Sequence, residues 1–339
     1  MRIIFIGGTK FIGLHTVECL TGMGHEVTVF HRGKTPVELP DGASELLGDM
    51  NQLDDYVDDF KRIAPDVVIH NILIQESDAE RLMHVFKDVA KRVIGVSSGD
   101  VYLGYGRLID FEPGDPVPVP MTEDAPLRTK LYPYREQVND PNHPMHNYDK
   151  IPIEKLVMGS PDDLPGTVLR LPMVYGPRDF QRRIYSYLKR MDDRRPAILV
   201  DERSAMTRFS RGYVEDVAAA IALAATDERA ANRIYNVAEP DPLSEIEWIK
   251  MIADVVGWQG DIIAVDPVLL PEDQQFDPHG QDLVVDSTRI RTELDFKEAI
   301  SREEAIRRTV AYDREHPPEQ TPNDSFDYEA EDAILAQLS

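Results

Sequence analysis

The chain has 339 residues, 42% of them apolar, enough to bury one large core, or a large core with a smaller lobe, without metal or disulfide staples. A formal charge of −24 makes the average surface repel phosphate polyanions, and no block of lysine and arginine overrides it locally, so nucleic acid is excluded as an expected partner. One cysteine, Cys19, excludes a disulfide framework, and no apolar run approaches the roughly 18 residues of a membrane span; a cytoplasmic protein with no membrane partner is expected.

Over the first hundred residues, short β-rich runs alternate with amphipathic helical stretches. Strands are expected at 2–6, 26–30, 45–47, 66–70 and 92–96, with helices at 11–23, 53–63 and 76–91. This order implies an α/β fold, a doubly wound parallel Rossmann sheet whose right-handed crossovers place all strand ends on one ligand-binding edge. The stretch 103–147 breaks the pattern with prolines and tyrosines and reads as a lid-like loop. A helix at 150–158, a strand at 166–171, helices at 181–191 and 212–225 and a strand at 233–237 follow, then helices near 244–256 and 302–315. The expected organisation is a dinucleotide-binding domain of residues 1–176 plus 212–238, and a smaller mixed substrate lobe of 177–211 plus 239–316. Residues 317–339 read as a loosely held acidic tail.

Between the first strand and first helix stands Gly7-Gly8-Thr9-Lys10-Phe11-Ile12-Gly13. Glycines in that position let the chain turn sharply, let the helix pack on the sheet and leave N–H groups free for a pyrophosphate, so the turn predicts a bound dinucleotide. Lys10 takes the place of the middle glycine and either points outward or adds its ammonium to the phosphate site. The second strand ends at Phe30-His31-Arg32-Gly33-Lys34, with no carboxylate for the ribose hydroxyls; Arg32 and Lys34 suit a 2′-phosphate, so NADP is favoured over NAD. After the third strand, Asp49 and Met50 fall beside the expected adenine.

Taken in order, the glycine-rich turn, Asp66-Val67-Val68-Ile69-His70, Val96-Ser97-Ser98-Gly99-Asp100-Val101-Tyr102, the helix around Lys150 and Glu154, and Arg170-Leu171-Pro172-Met173-Val174-Tyr175-Gly176-Pro177 resemble the extended short-chain dehydrogenase/reductase superfamily, its NAD-dependent epimerase/dehydratase group. Tyr213-Val214-Glu215-Asp216-Val217 and Asp286-Ser287-Thr288-Arg289-Ile290 complete a similarity running from residue 1 to about 310. The Gly-Gly-Thr-Lys-Phe-Ile-Gly variant also looks like atypical members, plastid RNA-associated ones among them. The resemblance implies Pro172 beside the cofactor, a small-molecule substrate and a homodimer.

It also implies a hydroxyl after the fifth strand, and a Tyr and Lys spaced i, i+4 on one helix face, where the ammonium assists the phenol and holds the nicotinamide ribose. Ser98 matches the hydroxyl and Lys150 the lysine, but four residues before Lys150 stands His146. Tyr148 is two residues away, roughly 200° around an unbroken helix. Pro152 requires the helix to start close by, with Asn147 or Asp149 as cap. Three readings stay open: His146 replaces the tyrosine, Tyr148 swings in from an altered helix entry, or the proton-transfer group is gone and Lys150 only binds cofactor. His143 and His146 form an HxxH pair, but Pro144 and the want of a third ligand argue against a metal site.

For the substrate, Met173 stands where nucleotide-sugar members have an Asn, and Phe209 near where they have an Arg. Ser98, Arg208, Arg211 and Arg289 remain as groups that can hold a polar or anionic substrate, with Tyr132 and Tyr134 in the lid shaping the pocket. The expected activity is hydride transfer on a hydroxyl or carbonyl of a sugar-like or other small polar molecule. The competing expectation is a redox-inactive dinucleotide-binding sensor or scaffold.

Overall fold

Ile3, Ile4, Phe5 and Ile6 are all buried, on both faces of their strand, as in a central parallel strand covered by helices on either side. A computed structural model of the chain describes residues 1–138, 140–319 and 326–338. It places this strand, β1 (Arg2–Ile6), among β2 (Glu26–His31), β3 (Ala43–Leu47), β4 (Val67–His70), β5 (Arg92–Ser98) and β6 (Gly166–Leu171). Next come β7 (Met173–Tyr175), β8 (Ala197–Asp201), β9 (Arg208–Phe209), β10 (Arg211–Tyr213), β11 (Arg233–Asn236), β12 (Leu243–Ser244) and β13 (Asp261–Val265). The main sheet has seven strands in the order β11-β6-β5-β4-β1-β2-β3, and every pairing in it is parallel. The order reverses at β1, so the ends of β1 and β4 flank the crevice where a doubly wound sheet takes its ligand.

The helices are α1 (Phe11–Gly22), α2 (Val57–Ile63), α3 (Glu76–Phe86), α4 (Leu103–Leu108), α5 (Lys150–Val157), α6 (Tyr185–Asp192), α7 (Val214–Thr226), α8 (Glu245–Val256), α9 (Thr288–Glu293), α10 (Arg302–Glu315) and α11 (Tyr328–Leu338). On one face α1 and α7 bury Val17, Leu20, Ala220 and Ile221 against Ile3 and Phe5. On the other, α3 and α5 bury Leu82, Phe86, Ile153 and Val157 against Ile4, Ile6 and Val68. Cys19 packs from α1 at the edge of the first of these cores, and burial pushes its thiol pKa up. Among the described residues no helix is long and apolar enough to cross a membrane.

Several boundaries differ from the expected ones for local reasons. The helix expected at 53–63 splits into a 3-10 turn, Met50–Tyr56, and α2, because the Asp49 carboxylate caps the turn through Asn51 N at 2.9 Å. The helix expected at 76–91 stops at Phe86, with Asp88 in the left-handed region at φ +62°. That expected at 181–191 starts only at Tyr185, since Asp179 first accepts from the backbone of Gln181 and Arg183.

The tail is the larger correction. Residues 326–338 are not loosely held: α11 docks on the C-terminal lobe, with Ile334 buried against Val265 and Leu270. Glu331 is buried beneath it and takes the Arg190 guanidinium at 2.6 Å. An acidic composition concealed this because the carboxylates that matter are paired with arginines about 140 residues earlier in the chain.

Candidate active site

The turn after β1 makes a cleft of about 400 Å³, lined by Gly7, Thr9, Lys10, Phe11 and Ile12 from the turn and by His31, Arg32, Lys34 and Met50 from the ends of β2 and β3. Gly7 sits at φ +90°, which a side chain rarely adopts. Gly8 is buried beneath α1, and at Gly13 a Cβ would lie 2.5 Å from the Gly7 carbonyl oxygen. The glycines therefore permit both the turn and the close seating of α1, whose N-terminus faces the cleft. We expect Gly13→Ala to cost about 1–3 kcal/mol through this overlap and to weaken dinucleotide binding at least roughly tenfold, as read by denaturant melts and cofactor fluorescence.

Lys10 is exposed and lines the cleft without capping α1. Phe11 lies in the left-handed region at φ +38°, and its buried ring meets that of Phe180, which also lines the cleft, edge-on at 6.2 Å. His31 is fixed, accepting from Gly33 N at 3.2 Å and reaching Glu45 at 2.8 Å. Asp49 is bound to Asn51, so Met50 rather than Asp49 faces the cleft. Pro172 follows β6 and packs over Gly212.

The proton-transfer region depends on how α5 begins. Asp149 caps it, accepting from Ile151 N at 2.9 Å, and the first helical residue is Lys150. Tyr148 and Asp149 are both extended, at φ/ψ −66/121° and −160/131°. In extended chain, residues two apart face the same side, so Tyr148 and Lys150 project together where a helix would set them about 200° apart. The Lys150 ammonium lies 5.6 Å from the Tyr148 ring centre. It donates to the carbonyls of Val96, at 3.1 Å, and Leu73, beyond the end of β4.

Tyr148 is buried, and its hydroxyl donates to Asp100 Oδ2 at 2.6 Å, with the Ser98 hydroxyl as a further hydrogen-bonding neighbour. Ser98 Oγ accepts from Asp100 N at 3.2 Å. Asp100 entered the sequence reading only as part of the segment after the fifth strand, with no role, although it is two residues beyond Ser98. Its Oδ1 is buried without a partner among the described residues. Burial pushes the Asp100 carboxyl up, against the pull of Tyr148, Arg128 and Lys150. Burial and the Asp100 carboxylate also hold the Tyr148 phenol well above the usual tyrosine range. Lys150 is pushed down to about 8 by burial, with Asp100, Asp78 and Glu154 opposing the fall. His70, at the end of β4, is driven to about 3 by burial and stays neutral.

His146 lies elsewhere. It sits in the 3-10 turn Pro144–Asn147, its Nδ1 on the Val138 carbonyl at 3.1 Å, while His143 Nδ1 accepts from Met145 N. Of the three readings of the helix entry, the geometry is that of the altered entry.

Two buried ion pairs hold this arrangement. Arg128 and Asp149, both fully buried, meet at 3.2 Å, and Arg128 Nε also donates to the Asp100 carbonyl at 2.6 Å. Tyr132 N donates to Asp149 Oδ2, so the lid backbone is tied to the cap of α5. One turn further on, Glu154 takes Ser97 Oγ at 2.6 Å and the Arg170 guanidinium at 2.7 and 2.9 Å. Arg170 continues to Tyr102, and Tyr102 to Asn236, which locks α5 to β5, β6 and β11. In the lid, the Tyr134 hydroxyl meets that of Tyr105 at 2.6 Å and its ring packs 5.4 Å from Tyr148. The Tyr132 ring lies under Arg135 instead.

A second cleft, about 450 Å³, opens in the C-terminal lobe and includes Met173 and Phe209. It adjoins the first region through β6, since Ser98 pairs with Leu171 two residues before Met173. The three arginines expected at the substrate do not line it. Arg208 pairs with Asp282 at 2.7 Å, Arg211 with Glu245 at 2.5 Å, and Arg289 with Glu123 at 3.4 Å and with Asp124. As free anion-binding groups they are a correction: each guanidinium already faces a carboxylate.

A model of the NAD dependent epimerase/dehydratase family matches residues 79–238, a segment that holds Ser98, Asp100, Tyr148, Lys150 and Met173. Over that segment, a little under half of its length, the chain is similar to that family. Two curated relatives carry names that describe different activities. The chain is 25% identical over 252 residues to the chloroplast stem-loop binding protein of 41 kDa b of Arabidopsis thaliana, covering 70% of this chain and 58% of that one. It is 24% identical over 263 residues to the 2′-dehydrokanamycin reductase of Streptomyces kanamyceticus, covering 76% and 67%. Thus it spans well under two thirds of the plant relative's length. Among solved structures, the Bordetella bronchiseptica enzyme WbmG in complex with NAD superposes with a TM-score of 0.69 at 20% identity, over 93% of this chain and 94% of that one, a likeness of fold.

Proposed function

We propose that this chain is a member of the NAD dependent epimerase/dehydratase family, an NAD(P)-dependent oxidoreductase that reduces or oxidises a carbonyl or hydroxyl carbon of a small polar, sugar-like substrate. The observation that carries the reading is the convergence of Ser98, Tyr148 and Lys150 at the end of β5, beside a glycine cradle that a Cβ would fill. The cofactor fits these residues: the free N-terminus of α1 and Lys10 would hold its pyrophosphate, and Lys150 its ribose hydroxyls. When bound, it supplies or accepts the hydride.

The chain's own groups manage the oxygen and its proton. Ser98 orients the reacting oxygen. Tyr148, protonated at neutral pH in its buried site, gives its proton to that oxygen as negative charge develops there, and takes it back in the reverse direction. Without substrate the phenol proton is donated to Asp100, which holds the ring in place; the O–H must turn from Asp100 to the substrate oxygen before the proton is transferred. A phenol resting in its protonated form is the state that carbonyl reduction requires.

NADP is the favoured cofactor. Arg32 and Lys34 line the adenosine end of the cleft, and neither faces a carboxylate in any ion pair of the described residues. Replacing both by Ala should weaken NADPH about 10- to 100-fold and leave NADH within about twofold, since each charge-assisted bond to a 2′-phosphate is worth about 1.5–3 kcal/mol. Equal losses for both cofactors would assign the two cations to the fold. The function itself is tested by following NADPH oxidation over a panel of sugar and cyclitol ketones. Saturable NADPH binding with no turnover on any of them would replace the enzyme with a dinucleotide-binding sensor or scaffold.

A further inference from the structure

The lobe cleft should receive the part of the substrate remote from the reacting carbon, so its charge decides the substrate class; this inference rests on the reading above. Its wall contains three guanidiniums, and each is already matched. Arg182 meets Asp313 at 2.5 Å, Arg183 meets Asp179 at 3.1 Å, and Arg190 meets Glu331 of α11 at 2.6 Å. The carboxylates facing the same space are Glu245, which holds Arg211 and the Tyr187 hydroxyl, Asp201, which holds Arg203, and Asp273 at the rim, in no ion pair of the described residues. A diphosphate entering here would lose hydration with no unmatched cation to replace it, and would meet acidic groups of like charge. Freeing an arginine would take a charge partner from a buried carboxylate, since Asp179, Asp313 and Glu331 are each buried.

What the cleft does offer is different. Phe209 and Phe276, their ring centres 6.4 Å apart, together with Met173, give it an apolar wall suited to the C–H face of a ring. Gln274 Nε2 is buried there without a hydrogen-bond partner among the described residues. A buried donor of that kind calls for an oxygen acceptor, such as a hydroxyl or ring ether.

We infer that this cleft binds a phosphate-free polyhydroxylated ring, neutral or aminated, and excludes nucleotide-diphosphate sugars. The test is calorimetry on the full chain saturated with NADP⁺, with cofactor saturation confirmed first by fluorescence, so that loss of the dinucleotide site is distinguished from loss of this one. UDP-glucose should show no saturable binding below about 1 mM, whereas methyl glucoside or glucosamine should saturate below about 50 mM. Gln274→Ala should weaken the sugar about fivefold or more, with cofactor affinity unchanged, the loss expected for one hydrogen bond of about 1 kcal/mol. Micromolar UDP-glucose binding, failure of both phosphate-free sugars to saturate, or indifference to Gln274→Ala each overturns the inference.

Discussion

Tyr148→Phe should lower kcat about 100- to 10,000-fold while NADPH affinity changes little, the range for removing a positioned proton donor. His146→Gln should leave kcat within about twofold, the size of effect usual for a group outside the reacting constellation. The contrast follows from where the two side chains are held. Tyr148 reaches Asp100 and the neighbourhood of Ser98, whereas the His146 ring is committed to the Val138 carbonyl. Loss of the phenol also leaves Asp100 Oδ2 without its donor, on a carboxylate whose other oxygen is already unpartnered. A stability cost of about 1–3 kcal/mol is therefore expected alongside the kinetic one. Melting temperature and NADPH affinity, measured on the same variant, separate the two effects. A variant that folds, binds NADPH and keeps its kcat would remove the phenol from the chemistry. The reverse pattern, with His146→Gln inactive, would restore the imidazole reading.

This region also shows what a sequence can and cannot reveal. The strands were legible because both-faced burial selects unbroken apolar runs such as residues 3–6 of β1, and the turn because only glycine suits Gly7 and Gly13. Pro152 signalled a helix start close to Lys150, but not which cap would be used. Asp149 rather than Asn147 takes that role, because Arg128 from the lid neutralises it in a fully buried pair. That choice leaves Tyr148 extended and brings it to Lys150's side, a consequence of a contact 21 residues away. Asp100 was missed because a lone carboxylate after a strand looks like a turn residue until the phenol is placed on it. The substrate arginines were overread for the same reason: Asp282 and Asp124 lie 74 and 165 residues from the guanidiniums they satisfy.

Lys150→Met should reduce kcat/KM about 100- to 10,000-fold and weaken cofactor binding, yet leave the fold as stable as before or more so near neutral pH. The ammonium is buried and its pKa falls from 10.5 to about 8, chiefly through desolvation. Such a drop means that holding the charged form in the folded protein costs on the order of 3 kcal/mol. Two carbonyl hydrogen bonds, to Leu73 and Val96, offset part of that when the lysine is present. Methionine keeps most of the stem's packing and removes the buried charge. The pH dependence has a definite sign. Between about 8 and 10.5 the unfolded chain holds a proton on this lysine that the folded chain has released, so unfolding takes up protons and stability rises with pH. The penalty is fully present below about 8 and is relieved across that window. Any stability advantage of Lys150→Met over the natural chain should therefore be largest below pH 8 and shrink towards pH 10.5. Cofactor affinity should run the other way, falling in the natural chain as pH passes through 8 and the ammonium is lost, and showing no such step in the variant. A variant that loses activity together with several kcal/mol of stability at pH 7 would mark Lys150 as a structural brace, and the hydride-transfer reading would lose its cofactor anchor.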